Sequence, residues 1–215
     1  MTFLLTGFDP FGGDTINPAY EAIKHLPEEI DGHNIIKKEI PTIFYQSIQV
    51  LRDIISEMDP DWVIAVGQAE GRIGFTPEKV AINYSHARIP DNAGCRPQNQ
   101  MIRKEGPVGY FTRLPIHQIV KNCLEASIPA SVSYSAGTFV CNHLFYGLMD
   151  IIHEEYPHLK GGFIHVPALP EQALKNEKTP FMSLEMITKA LEQTIIACLD
   201  NPDDEQDEFF GGDLH

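Results

Sequence analysis

The chain has 215 residues, 43% of them hydrophobic and 21% charged, the make-up of a globular protein with one sizeable core and room for a second small one. Its net charge of -14 disfavours nucleic acid and anionic membrane surfaces as partners, because both reward a basic surface. No segment approaches the roughly 20 apolar residues of a membrane-spanning helix, and the opening MTFLLTGFDP lacks the basic start and long apolar run of a secretory signal.

In chain order, Phe3 to Thr6 reads as a short buried strand, followed by a glycine-rich loop, Gly7 to Gly13, that carries Phe8 and Phe11. Asn17-Pro18 signals a helix start, with Asn as cap and Pro in the first turn, and Pro27 stops that helix. Ile35 to Ile40 is a strand whose charges at Lys37, Lys38 and Glu39 suit a sheet edge. Pro41-Thr42 lead into a helix with the stripe Phe44, Ile48, Leu51 and Ile55. Trp62 to Val66 is a continuous apolar run, as a central parallel strand requires, and it empties into a loop with Gly67, Gly71 and Gly74. From Phe75 to Gly109 the pattern gives loops and short strands beside the sheet. A helix starting at Leu114-Pro115 turns Ile116, Ile119, Val120, Cys123 and Leu124 inward, and Ser131 to Ser135 is a further strand. A helix then runs from about Cys141 to Pro157. Phe163 to Pro167 is a strand with His165 near its end, and Ser183 caps the last helix. The acidic residues from Asn201 to His215 read as a loose tail. Strands alternate with helices without a linker or repeat, so residues 1–215 are expected to form one α/β domain with a mostly parallel sheet between helical layers. Sites in such sheets form at the carboxyl ends of the strands.

The chemistry in those loops narrows quickly. The glycines after Val66 have neither the spacing of a dinucleotide fold nor the Lys-Ser/Thr ending of a phosphate loop. Cys141, His143 and His165 have poor spacing for structural zinc, and Cys95, Cys123, Cys141 and Cys198 form no Cys-x-x-Cys pair. A cytoplasmic protein with reduced thiols is the simplest expectation. Cys141 sits where the Ala136-Gly137 turn feeds a helix N-terminus, which favours a thiolate and offers backbone donors to an oxyanion. The alternative is a small buried hydrophobe. His165 is the base that suits such a nucleophile, against a hydrogen-bonded core histidine. Glu78 is the carboxylate to orient it, against an exposed strand-edge charge. A ligand-binding protein without catalysis, and an amidase of other specificity on the same three residues, remain open at this stage.

The segments LLTGFDPFGG, PTIFY, VGQAEGR, TPEKVAIN, ARIPDN, SYSAGTFVCNHLFYGLMD and GGFIHVPALPEQ resemble the pyroglutamyl peptidase I, or pyrrolidone-carboxylate peptidase, family of cysteine peptidases over nearly the whole chain. The segments around Glu78 and Cys141 are similar to its two signature motifs, with no departure at either. The resemblance implies an α/β/α sandwich without a cofactor or metal and a cytoplasmic homotetramer. It also implies that Glu78, Cys141 and His165 cleave an N-terminal 5-oxoproline from peptides. Arg88 and the Cys141 N–H are then candidate oxyanion donors. For the flat, neutral ring, Phe8 and Phe11 suit the faces, and Gln68 and Asn17 suit the polar atoms, in a pocket to which no acidic residue is assigned.

Overall fold

The computed structural model describes residues 1–204. The first half of the chain supplies β1 (Thr2–Phe8), α1 (Pro18–His25), β2 (Glu29–Ile30), β3 (His33–Ile40), α2 (Gln46–Met58) and β4 (Trp62–Gln68). Short strands β5 (Thr76–Pro77), β6 (Val80–Ile82) and β7 (Gly109–Phe111) follow. Then come α3 (Ile116–Glu125), α4 (Val140–Glu154), β8 (Lys160–Val166), α5 (Pro170–Ala173) and α6 (Leu184–Asp200). Among the described residues, no helix is long and apolar enough to cross a membrane.

The main sheet has the order β2-β3-β1-β4-β8-β5. Its four inner strands run parallel, and the two-residue strands β2 and β5 pair antiparallel at its ends. Side chains alternate across a strand, which divides the core in two. Phe3, Leu5, Ile64, Val66 and Ile164 meet α1, α3 and α6 on one face. Leu4, Val63, Ala65 and Phe163 meet α2 and α4 on the other. The continuous apolar runs of β1, β4 and β8 are needed because both faces of these strands are covered. The fold is the expected single-domain α/β/α sandwich, with β4 at its centre.

Several elements differ from expectation for identifiable reasons. Ser131 to Ser135 forms no continuous strand. It runs parallel to residues 75–79 with Ser131 N–H donating to Phe75 O, Ser133 N–H to Pro77 O and Lys79 N–H to Ser133 O. The middle rung of that ladder requires an N–H from position 77, and Pro77 has none. Only isolated bridges at Ala130 and Ser133 survive. Phe44 precedes α2 instead of lying on it, because Tyr45 takes a positive φ of 61° just before the helix. Leu124 is exposed, since at 100° per residue it falls about 90° from the centre of the α3 stripe. β3 carries β2 only over its first two residues, so Lys37, Lys38 and Glu39 do lie on an unpaired edge. The start of the tail is tied down: Asp203 pairs with Lys160 at 2.6 Å, and Asp204 bonds the His117 ring at 2.6 Å. Asp204 also accepts from the N–H groups of His117 and Gln118, supplying the cap that Pro115 cannot. The rest of the expected tail, residues 205–215, lies outside the described residues.

Candidate active site

The loop before α4 turns at Gly137, whose φ of 77° is natural only for glycine, and Cys141 becomes the second residue of the helix. The cap residue Phe139 makes no side-chain bond to the helix end, so the dipole there is not offset by a capping acceptor. Below the sulfur lies Gly67 of β4. A Cβ built at Gly67 would stand 3.1 Å from Cys141 Sγ and 2.8 Å from Phe163 Cζ, so the strand must be bare at this point. The β4–β8 register sets Gly67 opposite His165, which brings the imidazole beside the thiol. Cys141 Sγ, beside Gly67, therefore lies next to the imidazole, close enough to act on its protonation.

Glu78 reaches the same place from the other side. Strand β5 pairs antiparallel with the end of β8, Thr76 opposite His165, and Glu78 N–H donates to Phe163 O at 2.9 Å. The next side chain then turns onto the imidazole, with Glu78 Oε1 2.7 Å from His165 Nδ1. Nδ1–H therefore donates to the carboxylate, which leaves Nε2 available to the sulfur. Both residues are buried, Glu78 with none of its surface exposed and His165 with 3%. Burial by itself lowers the His165 pKa. The Cys141 sulfur and the Glu78 carboxylate outweigh burial and raise it to about 9. An imidazolium facing sulfur and backed by a carboxylate is the protonation state a thiolate nucleophile needs. The other cysteines are poorer nucleophiles where they are deepest: burial pushes the Cys123 thiol up to about 12 and raises Cys198 as well.

Beside the sulfur is a cavity of about 340 Å³. All four residues expected to hold a ring, Phe8, Phe11, Asn17 and Gln68, line it together with Cys141. Asn17 is committed elsewhere, since its Oδ1 accepts from Ala19 N–H and its Nδ2 donates to Asp9 O, both at 3.1 Å. It is a helix cap that forms part of the wall. Gln68 Oε1 accepts from Gln172 at 3.3 Å, which aims the amide. Arg88 is exposed and does not line the cavity, although its neighbour Ile89 does. His143 does not join Cys141 and His165 either. Its Nε2 accepts from Tyr45 N–H at 3.0 Å and its Nδ1 lies 3.0 Å from Ser85 Oγ.

The sequence reading missed Phe139, Thr42, Asp14, Glu70 and Ile89, which also line the cavity. Phe139 packs 5.2 Å from Phe11 and edge-on to Phe44 at 5.3 Å, completing an aromatic wall. The presence of Asp14 and Glu70 corrects the expectation of a wall without acids. Asp14 is already compensated, by Lys175 and by Gln172 Nε2 at 2.6 Å. Gln172 arrives through α5, whose Leu169-Pro170-Glu171-Gln172 start carried a legible signal in its proline. A larger cavity of about 510 Å³ lies apart, at Lys79, Arg113 and Lys160, and holds no member of the Cys141 cluster.

The family model for pyroglutamyl peptidase matches residues 1–201. The chain belongs to the pyroglutamyl peptidase family. Within this family of cysteine peptidases it is 52% identical to the pyrrolidone-carboxylate peptidase of Bacillus velezensis, over 99% of this chain and 98% of that protein. It is also 52% identical to that of Lactobacillus acidophilus, over 93% of this chain and all of the other. The solved pyroglutamyl peptidase I of Bacillus amyloliquefaciens superposes with a TM-score of 0.93 at 50% identity, covering 96% of this chain and 99% of that one. A mutant pyrrolidone carboxyl peptidase from Pyrococcus furiosus gives 0.89 at 37% identity, covering 93% and 99%.

Proposed function

We propose that this peptidase removes an N-terminal 5-oxoproline residue from peptides through a thioacyl-enzyme formed on Cys141. The observation that carries the reading is the buried Glu78–His165 pair beside the half-buried Cys141 thiol, at a mostly apolar cavity with an aromatic wall. The ring lies among Phe8, Phe11 and Phe139. Gln68 Nε2, which has no hydrogen-bond partner among the described residues, donates to the lactam carbonyl.

The Cys141 thiolate adds to the carbonyl carbon that joins the ring to the next residue, giving a tetrahedral oxyanion. The N–H at the start of α4 faces that oxygen, and Arg88, after moving in from its exposed position, is the second donor. Collapse breaks the C–N bond as His165 Nε2–H protonates the departing amine. Water then gives a proton to His165 and adds to the thioester. The second collapse releases 5-oxoproline and restores the thiolate–imidazolium pair. Glu78 holds the imidazole throughout by accepting from Nδ1–H.

Turnover of a chromogenic pyroglutamyl amide, with and without a thiol reagent, tests the reading. Cys141→Ala should abolish turnover while Cys95→Ala, Cys123→Ala and Cys198→Ala retain most of it. A fully active Cys141→Ala protein would falsify the mechanism. A cytoplasmic location and a homotetrameric assembly accompany this proposal on the family resemblance, and cell fractionation and analytical ultracentrifugation check them.

A further inference from the structure

We propose that Arg72 is a positioning residue for the Glu78–His165–Cys141 line, holding the Glu78 carboxylate in place and tying it to the loop that precedes Cys141. The proposal rests on the mechanism above. Glu78 Oε1 receives two donors, His165 Nδ1 at 2.7 Å and Arg72 Nη2 at 3.2 Å. Its Oε2 is buried with no hydrogen-bond partner. A carboxylate with no exposed surface and one bare oxygen depends strongly on whatever charge remains beside it. Apart from the imidazole, the group ion-paired to it among the described residues is the Arg72 guanidinium.

Arg72 also acts as a mechanical link. The same Nη2 donates to Ser135 O at 2.9 Å, in the loop that feeds α4 and Cys141. Gly71, with φ of 94°, turns the loop after β4 so that Arg72 N–H bonds back to Ala69 O at 3.1 Å and its side chain reaches across. One guanidinium therefore joins the loop beyond Gly67, the Glu78 segment and the Cys141 loop, three pieces that meet only in the folded chain. Its side chain keeps 31% of its surface exposed, so replacing it leaves the core intact.

The test uses Arg72→Met, which keeps much of the length but loses the donors, and Arg72→Lys, which keeps the charge. With a pyroglutamyl amide, Arg72→Met should lower kcat about tenfold or more with KM within about twofold, because an orienting contact and not substrate binding is lost. Arg72→Lys should recover part of kcat. In a Glu78→Gln background the Arg72→Met change should cost less than about threefold, since the partner it acts through is already altered. Alkylation of Cys141 by iodoacetamide should slow in Arg72→Met about as Glu78→Gln slows it. Wild-type kcat in Arg72→Met, equal losses in both backgrounds, or an effect confined to KM would each overturn the proposal. A wild-type protein inactive on the pyroglutamyl amide would refute the proposed function instead, and an unchanged alkylation rate in Arg72→Met would then still reject the role of Arg72.

Discussion

Replacing His143 with glutamine tests how the wall of the cavity is held up. His143 has none of its surface exposed, accepts from the Tyr45 N–H, and packs edge-on to the rings of Phe44 and Tyr45 at 5.1 and 4.7 Å. It thereby fixes a residue with a positive φ and, through Phe44, the ring of Phe139. Burial lowers its pKa from 6.5 to about 4. Between those values the unfolded chain binds a proton that the folded chain refuses, so folding stability falls as pH falls through this window. At about 1.4 kcal/mol per unit the loss reaches about 3 kcal/mol once pH is near 4, and most of it is present at pH 4.5. Glutamine places an acceptor near the Nε2 position and does not titrate. His143→Gln should therefore be less stable than wild type at pH 7.5, where the Ser85 Oγ contact and the ring packing on Phe44 and Tyr45 are lost. At pH 4.5 the difference should have moved by about 2–3 kcal/mol in the variant's favour. Urea denaturation followed through Trp62, the single tryptophan and a buried one, measures both differences. The other titrating groups, His165 and His153 among them, cancel in the comparison of variant with wild type. A stability difference that does not change between the two pH values would refute the reasoning.

Glu78→Gln should fold and bind substrate yet lose at least roughly 10²-fold in kcat, because the imidazole is no longer held in one tautomer and orientation. A near-wild-type kcat removes Glu78 from the mechanism. Gly67→Ala forces the Phe163 ring and the Cys141 sulfur to give way. It should cost about 1–3 kcal/mol in thermal or urea denaturation, and kcat should fall as well. A variant as stable and active as wild type would show that the close approach is relaxed in solution. Peptides beginning with proline should be cleaved roughly 10⁴-fold less efficiently than those beginning with 5-oxoproline, since the ring lacks the lactam carbonyl and brings an ammonium. Asp14 gives that ammonium little help, being engaged by Lys175 and Gln172. Comparable kcat/KM for the two peptides would mean that the ring does not sit among Phe8, Phe11 and Phe139.

Much of the molecule was legible because its signals are local. The apolar runs at Phe3 and Trp62 are strands buried on both faces, and no longer-range information is needed to see that. Asn17-Pro18 and Ser183 cap their helices through bonds two or three residues away. Cys141 at a helix start, His165 near a strand end and Glu78 as the acid to orient it came from the residues themselves, and the family resemblance favoured all three over their alternatives. What the tertiary structure decided depends on pairing between distant segments. No local preference sets the strand order, nor the register that puts Gly67 and Thr76 on either side of His165. That register brings residues far apart in sequence into one cluster, with Glu78 and His165 hydrogen-bonded beside Cys141. Pro77 shows the same dependence in reverse: the strand expected at Ser131 has suitable residues, but its ladder fails for want of one N–H on its neighbour. Arg72, Phe139 and Gln172 escaped notice because an arginine, a phenylalanine and a glutamine in loops or short helices carry no sign of what they will face. Their roles arise only where β4, α4 and α5 end beside one another, since burial and hydrogen bonding there are properties of the assembled surfaces and not of any one segment.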